Sequence, residues 1–542
     1  MSTQTYTVSD IESVRPIIGM EVHVELATRT KMFTRAPSPA YALEEHAAPN
    51  TLIDPVVLGL PGALPVMNEA AVELSVLVGL ALGCSIAKRS KWDRKNYFYP
   101  DLPKAYQISQ YDLPLCFDGA VDVPAPDADG EPDPDGATTR IGIIRAHLEE
   151  DAGKLMHELP AEMGGVGGGG VQDGSIVDLN RAGTPLLEIV TAPDFTSAEQ
   201  CVSFAKLLRH TCRHLGATLG VMQRGHMRFE PNINCEIVFA DGHTVRTPIT
   251  EVKNLNSFKA LAGAVEYELR EQPKRFVEDG LVMGPGAKTT RGWDDAKLRT
   301  TMQREKEDAH DYRYFPDPDL LPVVVSDEWR ERIRGRMCEL PMARQRRYKH
   351  ALELSARDAR TLAEERPVGE LFDDATDAAV VRGIERNVAA KGAANILLQV
   401  AMKIANARAQ EAGTPVLVSE LGLSAAQVAA VVWLRHEGKV SSNAADELVT
   451  LMTTGEHAGA DAEELAGARG LLIVRDDAQL GAWCDEVIAA NESIAEQIRG
   501  GKPQAVGRLI GEVVKKAQAS GGGSGGAVDA KDVREELLKR IG

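Results

Sequence analysis

The sequence predicts an α+β protein in which a β-rich N-terminal domain is followed by an all-α domain and an α-helical tail domain. Residues 15–330 mix short β-like runs with Pro and Gly turns, which is typical of a mixed or antiparallel sheet. Residues 331–412 are rich in Arg, Ala and Glu and carry few turn signals. From residue 413 onward, short amphipathic helices alternate with loops marked by Gly and Ser. We therefore expect domains at residues 1–330, 331–412 and 413–542.

Composition narrows the possible classes of function. The seven cysteines are odd in number and scattered without a CxxC pair, which argues against a disulfide framework and a cysteine zinc site. We therefore expect a reducing compartment, the cytoplasm. No apolar run in the sequence approaches the ~20 residues of a membrane span. The net charge of −18 opposes RNA binding through overall charge, so any RNA contact needs a local basic surface or a partner.

Two glycine- and proline-rich stretches in the first domain are predicted to be loops. Residues 121–139 (VDVPAPDADGEPDPDGATT) form a Pro-, Asp- and Gly-rich run that is unable to bury a core, which predicts a mobile surface loop. Residues 164–170 (GGVGGGG) lack the Gly-Lys-Ser/Thr ending of a P-loop, which favours a flexible hairpin over a phosphate-binding loop. Because no Walker A sequence occurs, any ATP must be held in another way.

The tail carries clear helix signals. Ser424 and Gln427 form a predicted capping box, and Gly438 is placed to end that helix. A helix is expected over residues 504–519, where one stripe is apolar: Val506, Leu509, Ile510, Val513 and Val514. Residues 520–526 predict a flexible linker, and a last helix has one apolar face with Val533, Leu537 and Ile541.

The first chemically informative stretch is a predicted strand at residues 17–26. Alternation directs four apolar side chains to a core, namely Met20, Val22, Val24 and Leu26. Glu21, His23 and Glu25 then share the other face. A solvent-exposed polar face is the ordinary interpretation of such a strand. Two carboxylates beside an imidazole, with no Lys or Arg on that face, nevertheless favour a divalent cation.

Two further stretches place carboxylates in predicted strands. Residues 141–154 contain Arg145, His147 and Glu149 on one strand face, followed by Glu150, Asp151 and Lys154. In residues 177–190, Glu188 lies within an apolar strand, where an ionised carboxylate needs a partner. Each signal is weak alone, but together they predict an acidic, oxygen-rich pocket suited to Mg²⁺ with nucleotide phosphates.

With these stretches together, the sequence closely resembles the GatB family, the B subunits of the tRNA-dependent amidotransferase GatCAB. The resemblance runs in order along the chain through IGMEVHVELATRTKMF, SKWDRKNYFYPDLPKAYQISQYDLPL, HLEEDAGKL, VDLNRAGTPLLEIVTAPD, EVKNLNSFKAL and DYRYFPDPDLLP. It extends into the tail through GKVSSNAADELV and AVGRLIGEVVKKAQ. It implies a cradle domain at the N-terminus that carries an ATP- and Mg²⁺-dependent site.

The resemblance also implies an activity and partners. Members of this family phosphorylate the side-chain carboxylate of Glu on tRNA(Gln), or Asp on tRNA(Asn), with ATP and Mg²⁺. Ammonia then displaces phosphate to give Gln or Asn. The ammonia comes from glutamine hydrolysed by a separate GatA-type amidase, which forms a heterotrimer with this chain and a small GatC-type subunit. Phosphoryl transfer of this kind depends on metal and positioning.

By motif, the resemblance assigns the Mg²⁺/ATP pocket to Glu21, His23, Glu149 or Glu150, and Glu188, and leaves open which of the two adjacent glutamates is the ligand. Lys95 and Lys104 are candidates for the pocket or the ammonia route, although solvated loop lysines are an equal alternative. Three departures from the family follow. Cysteines expected near Met32 and Leu58 are absent, so we expect no zinc. An expected Arg-Cys-Asp-x-Asn stretch reads RFEPN at residues 228–232, which leaves the role of Glu230 open. Residues 395–398 (NILL) replace a common Trp-Leu pair, which predicts a packing change.

The resemblance further implies that the tail contacts tRNA, mainly through phosphates and RNA shape. The available cations are Arg435, His436, Lys439, Lys502, Arg508, Lys515 and Lys516. For any one of them, a solvated helix face is an equal alternative.

Two other functions remain to be distinguished from the enzyme. One is a non-catalytic tRNA-binding scaffold within the same complex. The other is the related archaeal GatE-type subunit, which carries an inserted synthetase-like domain that residues 311–419 are too short to hold. The sequence leaves open whether Glu-tRNA(Gln), Asp-tRNA(Asn) or both are substrates.

Overall fold

The computed structural model describes residues 6–39, 47–156, 175–305, 312–473, 477–500, 503–520 and 530–542. The chain divides into two compact units, Met1–Ala343 and Arg344–Gly542. The first unit contains the strands and the second is helical, as the α+β prediction requires. The finer division at residues 330 and 412 stays a prediction.

The strands of the first unit form one large mixed sheet and several small ones. In chain order the strands are β1 Ile11–Glu25, β2 Ser85–Ile86, β3 Arg89–Ser90, β4 Asp93–Asn96, β5 Tyr106–Ser109, β6 Cys116–Pro124, β7 Thr138–Glu150, β8 Lys154–Met156, β9 Ile176–Asp178, β10 Pro185–Thr191, β11 Met227–Phe239, β12 Thr244–Arg246, β13 Thr250–Lys253, β14 Thr289–Asp294, β15 Arg299–Glu305, β16 Phe315–Pro316 and β17 Val323–Val324.

The large sheet of the described residues has ten strands in the order β15-β14-β13-β11-β1-β10-β7-β6-β2, with β12 paired to β11 outside this path. The pairing of β13 with β14 is parallel, and the others are antiparallel, so the predicted mixed sheet is confirmed. The centre of the sheet is the run β11-β1-β10-β7, which brings four long or apolar strands side by side.

Helices cover the apolar face of this sheet. The helices of the first unit are α1 Glu69–Ala81, α2 Ala198–His214, α3 Phe258–Asp279 and α4 Asp327–Arg334. Ser197 begins α2 because its side chain accepts a hydrogen bond from the Gln200 amide. The buried face of α2, including Phe204 and Leu208, then packs in the core that also holds Val22 and Val24 of β1. The predicted inward face of β1 is therefore confirmed.

The predicted surface loop at residues 121–139 is wrong at both ends. Residues 121–124 belong to β6, residues 138–139 belong to β7, and Val121 lies opposite Ile141 in the ladder between these strands. Val123 is buried, and the Ser203 hydroxyl donates to the Pro124 carbonyl oxygen. Composition misled the prediction because a few strand residues at each end were averaged with the polar turn between them. Residues 164–170 lie outside the described residues.

The second unit is built from short helices around two apolar cores. Its helices are α5 Pro341–His350, which begins at the unit boundary, α6 Ala356–Glu364, α7 Arg366–Val381, α8 Arg386–Asn395, a π-helical turn Ile396–Ala401, α9 Met402–Ala412, α10 Ala425–His436, α11 Ser442–Met452, α12 Ala462–Ala468, α13 Asp477–Ala490, α14 Glu492–Arg499, α15 Val506–Ser520 and α16 Ala530–Ile541. One core is formed around α7, α8 and α10, and the other around α13, α15 and α16.

The helix signals of the tail are confirmed. The Ser424 and Gln427 capping box begins α10, and Gly438 follows its end with a positive φ of 63°. Val506, Leu509 and Val513 of α15 are buried with the three predicted apolar residues of α16. Ser520, the first residue of the predicted linker, is the last residue of α15. Residues 521–529 lie outside the described residues.

One helical run in the second unit, Arg386–Ala412, has the length and apolar composition of a membrane span. Within its most apolar window, 44% of the residues are buried inside the protein. Ala389, Ala393 and Leu397 pack in the larger core of this unit, as in the core helix of a folded domain. Residues 396 and 397 of the NILL stretch are buried there, whereas Asn395 is exposed.

Candidate metal and nucleotide site

A row of polar side chains crosses the centre of the large sheet on the face opposite the core. His23 of β1 lies opposite Glu188 of β10 on one side and Arg228 of β11 on the other. Glu188 in turn lies opposite His147 of β7. Side chains of directly opposed residues share a face. The pairing register therefore brings together residues that are more than 200 positions apart in sequence.

His23, Glu149 and Glu188 form the first candidate ligand group, and their ligand atoms all lie within 4.8 Å of one another. The His23 Nε2 atom lies 3.5 Å from Glu149 Oε1 and 3.7 Å from Glu188 Oε2. The second imidazole, His147, has its Nε2 atom 3.5 Å from the same Glu188 oxygen. One imidazole nitrogen and two carboxylates at this spacing are suited to a divalent cation.

Glu21, Glu230 and Glu251 form a second group next to the first, again with oxygens within 4.8 Å of one another. Glu21 lies opposite Glu230 across β1 and β11. The Asn232 amide donates to Glu21 Oε1 at 2.9 Å, and Lys253 Nζ donates to Glu230 Oε2 at 2.6 Å. Glu230 therefore lies at the site, one strand from His23, and its longer side chain is paired with a lysine.

Burial sets the protonation of the central groups. It lowers the pKa of His23 to about 4 and that of His147 to about 3, so both imidazoles are neutral at pH 7. Burial, followed by the nearby charge of Glu188, raises the pKa of Glu149 to about 8. The Nδ1 atoms of both histidines are buried and have no hydrogen-bond partner among the described residues. Neutral imidazoles and a carboxyl that resists ionisation fit a site completed by a cation.

Lys95 belongs to this site rather than to a solvated loop. Burial opposes its charge, but Glu149, Tyr314 and Glu188 outweigh burial and raise the pKa of Lys95 above its usual range. Its Nζ atom lies 4.9 Å from the centre of the Tyr312 ring. Lys104 is also enclosed, with 9% of its side chain exposed, and it donates to Glu150 Oε1. The solvated-loop alternative is therefore wrong for both lysines.

The structure separates Glu150 from Glu149. Successive residues of a strand point to opposite faces. Because Glu149 faces His23, Glu150 turns away and binds Lys104 and the Ile108 amide, the latter at 3.0 Å. Both of these contacts use Glu150 Oε1. The sequence left open which of the two adjacent glutamates is the metal ligand. The geometry favours Glu149, and Glu150 as a metal ligand needs correction.

Two side chains that the structure places at this site were missed in the sequence, Glu251 and Lys253. Both lie on β13, and Lys253 Nζ is 3.1 Å from Glu251 Oε1. The signal available in the sequence was the spacing of the two residues in the stretch EVKNL, which places both side chains on one face of a strand. Asp151 was noted only as part of an acidic run. Its Oδ2 atom is 3.0 Å from Arg228 Nη1 and 3.4 Å from Arg181 Nε, and these arginines overcome burial and lower its pKa.

The predicted tail cations lie on helices that pack around two different cores. Arg435, His436 and Lys439 are exposed at the end of α10, and Lys439 Nζ lies 3.8 Å from the Trp433 ring centre. Arg508 and Lys515 are exposed on α15, and Lys516 pairs with Glu486. Lys502 lies outside the described residues. Their role in RNA binding stays a prediction.

The fold and the site define a class of protein. The open face of the sheet carries two clusters of carboxylate residues together with neutral imidazoles and lysines. Such a face is a candidate centre for metal-assisted phosphoryl chemistry. Comparison with known proteins agrees with the resemblance seen in the sequence. Residues 16–331 match the family model of the GatB/GatE catalytic domain, and residues 379–541 match that of the GatB domain.

Similar curated proteins are named as the B subunits of aspartyl/glutamyl-tRNA(Asn/Gln) amidotransferases. The protein of Rhodopirellula baltica is 40% identical over 504 residues, 93% of each chain. That of Anaeromyxobacter sp. is 40% identical over 511 residues, 94% of this chain and 96% of its own. That of Burkholderia pseudomallei is 39% identical over 529 residues, which are 97% of this chain and 99% of its own. The chain belongs to the GatB family of amidotransferase B subunits.

Proposed function

We propose that this chain uses ATP and Mg²⁺ to phosphorylate the side-chain carboxylate of Glu on tRNA(Gln), Asp on tRNA(Asn), or both. Ammonia then displaces phosphate from the acyl phosphate, which gives the amide on the same tRNA. The observation that carries this proposal is the pair of carboxylate groups on one sheet face, centred on His23. The names of the similar proteins support the choice of aminoacyl-tRNA as substrate.

The donor set fits a magnesium ion. Glu149 and Glu188 would supply carboxylate oxygens and His23 an imidazole nitrogen, since these three converge within 4.8 Å. The His23 Nδ1 atom is turned to the second group, 3.9 Å from Glu230 Oε1, which leaves Nε2 to face the ion. When bound, Mg²⁺ would neutralise charge on the transferred phosphoryl group. Glu21 belongs to the second carboxylate group, which lies next to the first, so we assign it to the same pocket.

The surrounding cations orient the reacting groups. Lys95 holds its positive charge beside Glu149 and Glu188, and Arg228 is held by Asp151 at 3.0 Å. Both are fixed by partners, so they are arranged before a ligand arrives. In a phosphoryl transfer, positioning of this kind supplies most of the catalysis, because the protein forms no covalent bond to the reacting atoms.

The ammonia is proposed to come from a GatA-type amidase subunit, with a small GatC-type subunit completing a heterotrimer. The names of the similar proteins support a complex of several subunits. We assign the tRNA contact to the exposed cations of α10 and α15, since the net charge of −18 leaves only local basic surfaces for phosphates.

The test is transamidation by the reconstituted complex with glutamine, ATP and one misacylated tRNA at a time. The expected products are Gln-tRNA(Gln), Asn-tRNA(Asn) or both, identified by the amino acid released after deacylation. Formation of neither amide, with a complex that still hydrolyses glutamine, would contradict the proposal.

The scaffold alternative is disfavoured by the same buried carboxylates. Glu149 is 2% exposed and lies 3.5 Å from a neutral imidazole rather than a formal cation. A cluster of buried acidic groups costs stability even with the charge of Lys95 nearby, and a scaffold has no use for such a cluster. Their presence supports a catalytic role.

A further inference from the structure

The second carboxylate group contains a resident cation. Lys253 Nζ lies 2.6 Å from Glu230 Oε2 and 3.1 Å from Glu251 Oε1, and so bridges two of the three acids. Glu251 is 1% exposed and Glu230 is 9% exposed, so this pair of carboxylates is largely removed from water. The Asn232 amide binds the third acid, Glu21, at 2.9 Å.

The first carboxylate group differs from the second in this respect. In the described part of the chain, the ion-pair partners of Glu149 and Glu188 are the imidazoles of His23 and His147. Lys95 acts on Glu149 and Glu188 through its charge but forms no ion pair with either among the described residues. The space between the ligand atoms of the first group is therefore left for an added cation, whereas Lys253 already bridges two acids of the second group.

Lys253 keeps its positive charge at pH 7. Burial opposes it, but Glu230 and Glu251 outweigh burial and raise the pKa of Lys253 above its usual range. An ammonium has three N–H donors, and two of them serve these carboxylates. Among the described residues these two carboxylates are the acceptors of the ammonium, so its third donor is available to a ligand oxygen, and 32% of the side chain is exposed on the open face.

We propose that Lys253 is a built-in second cation: it replaces a second divalent ion among Glu21, Glu230 and Glu251, and binds a phosphate oxygen of the nucleotide. Two cations beside a transferring phosphoryl group stabilise its charge from two sides. Carboxylates within 4.8 Å repel one another unless a cation lies between them. Removal of the lysine therefore leaves an oxygen-rich group that favours a divalent ion.

This inference rests on the proposed function, because it takes the His23 group as the first metal site. The test is a titration of the full-length chain, purified in its complex, with Mn²⁺ while free Mn²⁺ is measured by electron paramagnetic resonance. Glu149→Gln, which disrupts the first site, gives the background from the other subunits. We expect one Mn²⁺ above background for the wild type and two for Lys253→Met.

Two controls isolate the charge of the lysine. Lys253→Arg keeps a cation and is expected to bind one Mn²⁺, as the wild type does. Lys253→Met combined with Glu251→Gln removes a ligand of the new site and is also expected to bind one. In the same proteins, Lys253→Met should raise the KM for ATP about tenfold, whereas Lys253→Arg should raise it less.

The outcomes separate this inference from the proposed function. One Mn²⁺ in both wild type and Lys253→Met would overturn the role of Lys253 and leave the first site intact. Two Mn²⁺ in the wild type would also overturn it. No Mn²⁺ in either protein would overturn this inference together with the proposed metal site. An unchanged circular dichroism spectrum of Lys253→Met verifies that the variant is folded.

Discussion

His23 and Glu149 meet across an intervening strand: His23 Nε2 lies 3.5 Å from Glu149 Oε1, although β10 separates β1 from β7. Glu188 projects from that middle strand directly opposite His23. Three strands thus contribute one ligand atom each to a single point above the sheet. A site built on paired strands is held more rigidly than one built on loops.

This relationship predicts different effects for two adjacent glutamates. Glu149→Gln should weaken Mn²⁺ binding at least tenfold, because it removes a charged ligand from the first group. Glu150→Gln is the matched control and should change the affinity less than threefold, since Glu150 binds Lys104 and the Ile108 amide instead. Titration with Mn²⁺ measures both. A larger loss for Glu150→Gln would contradict the assignment.

Glu25 should make stability depend on pH. Burial, followed by the charge of Asp151, raises the pKa of Glu25 from 4.5 to about 7. The folded state therefore keeps this proton in a range where the unfolded chain has released it. Ionisation of Glu25 then destabilises the fold progressively as pH rises from about 4.5 to about 7.

Glu25→Gln removes that dependence. At pH 8, with metal chelated, the variant should be more stable than the wild type by on the order of 2–3 kcal/mol, and at pH 4.5 the two should converge. Urea unfolding at the two pH values measures the difference. An equal difference at both values would show that Glu25 does not titrate in this window.

Two helical glycines should respond to alanine in opposite directions. A Cβ at Gly392 of α8 would lie 2.7 Å from Val432 Cγ1 of α10, so Gly392→Ala should cost about 1–3 kcal/mol. A Cβ at Gly511 of α15 would meet no atom within 4 Å, so Gly511→Ala should add about 0.5–1 kcal/mol through helix propensity. Thermal unfolding of both variants checks the pair, and a stabilised Gly392→Ala variant would contradict the packing of α8 on α10.

The tail cations should act through phosphates. Lys515→Ala should weaken tRNA binding and reduce the slope of log affinity against log salt by about one. Lys391→Ala is the control, because Lys391 is exposed but already paired with Glu353 at 3.1 Å. Filter binding across salt concentrations measures both slopes. Equal slopes for the wild type and Lys515→Ala would place the contact elsewhere.

Local patterns in the sequence were sufficient for part of this structure. The alternation of apolar and polar residues at positions 17–26 predicted which side chains of β1 are buried. A strand that turned its other face to the core would expose four apolar residues. The capping box at Ser424 predicted the start of α10 because its hydrogen bonds lie within one turn. Such features depend on neighbours in sequence, so they can be predicted without knowledge of the fold.

The ligand set could not be completed from the sequence because it depends on strand register. Glu149 and Glu150 must point to opposite faces, but only the pairing of β7 with β10 decides which one meets His23. Glu251 and Lys253 reach the site because β13 pairs with β11, which is paired in turn with β1. None of these pairings has a local signal. The resemblance indicated the pocket, and the register selected its members.

Phosphorylation of an aminoacyl side chain at the His23 group can be measured directly. The complex is supplied with γ-labelled ATP and misacylated tRNA in the absence of an ammonia source, and label transferred to the acyl group of the tRNA is followed. We expect tRNA-dependent labelling that is lost at least 100-fold in Glu149→Gln and retained in Lys391→Ala. Labelling that persists unchanged in Glu149→Gln, or none with the wild type, would contradict phosphorylation at this site.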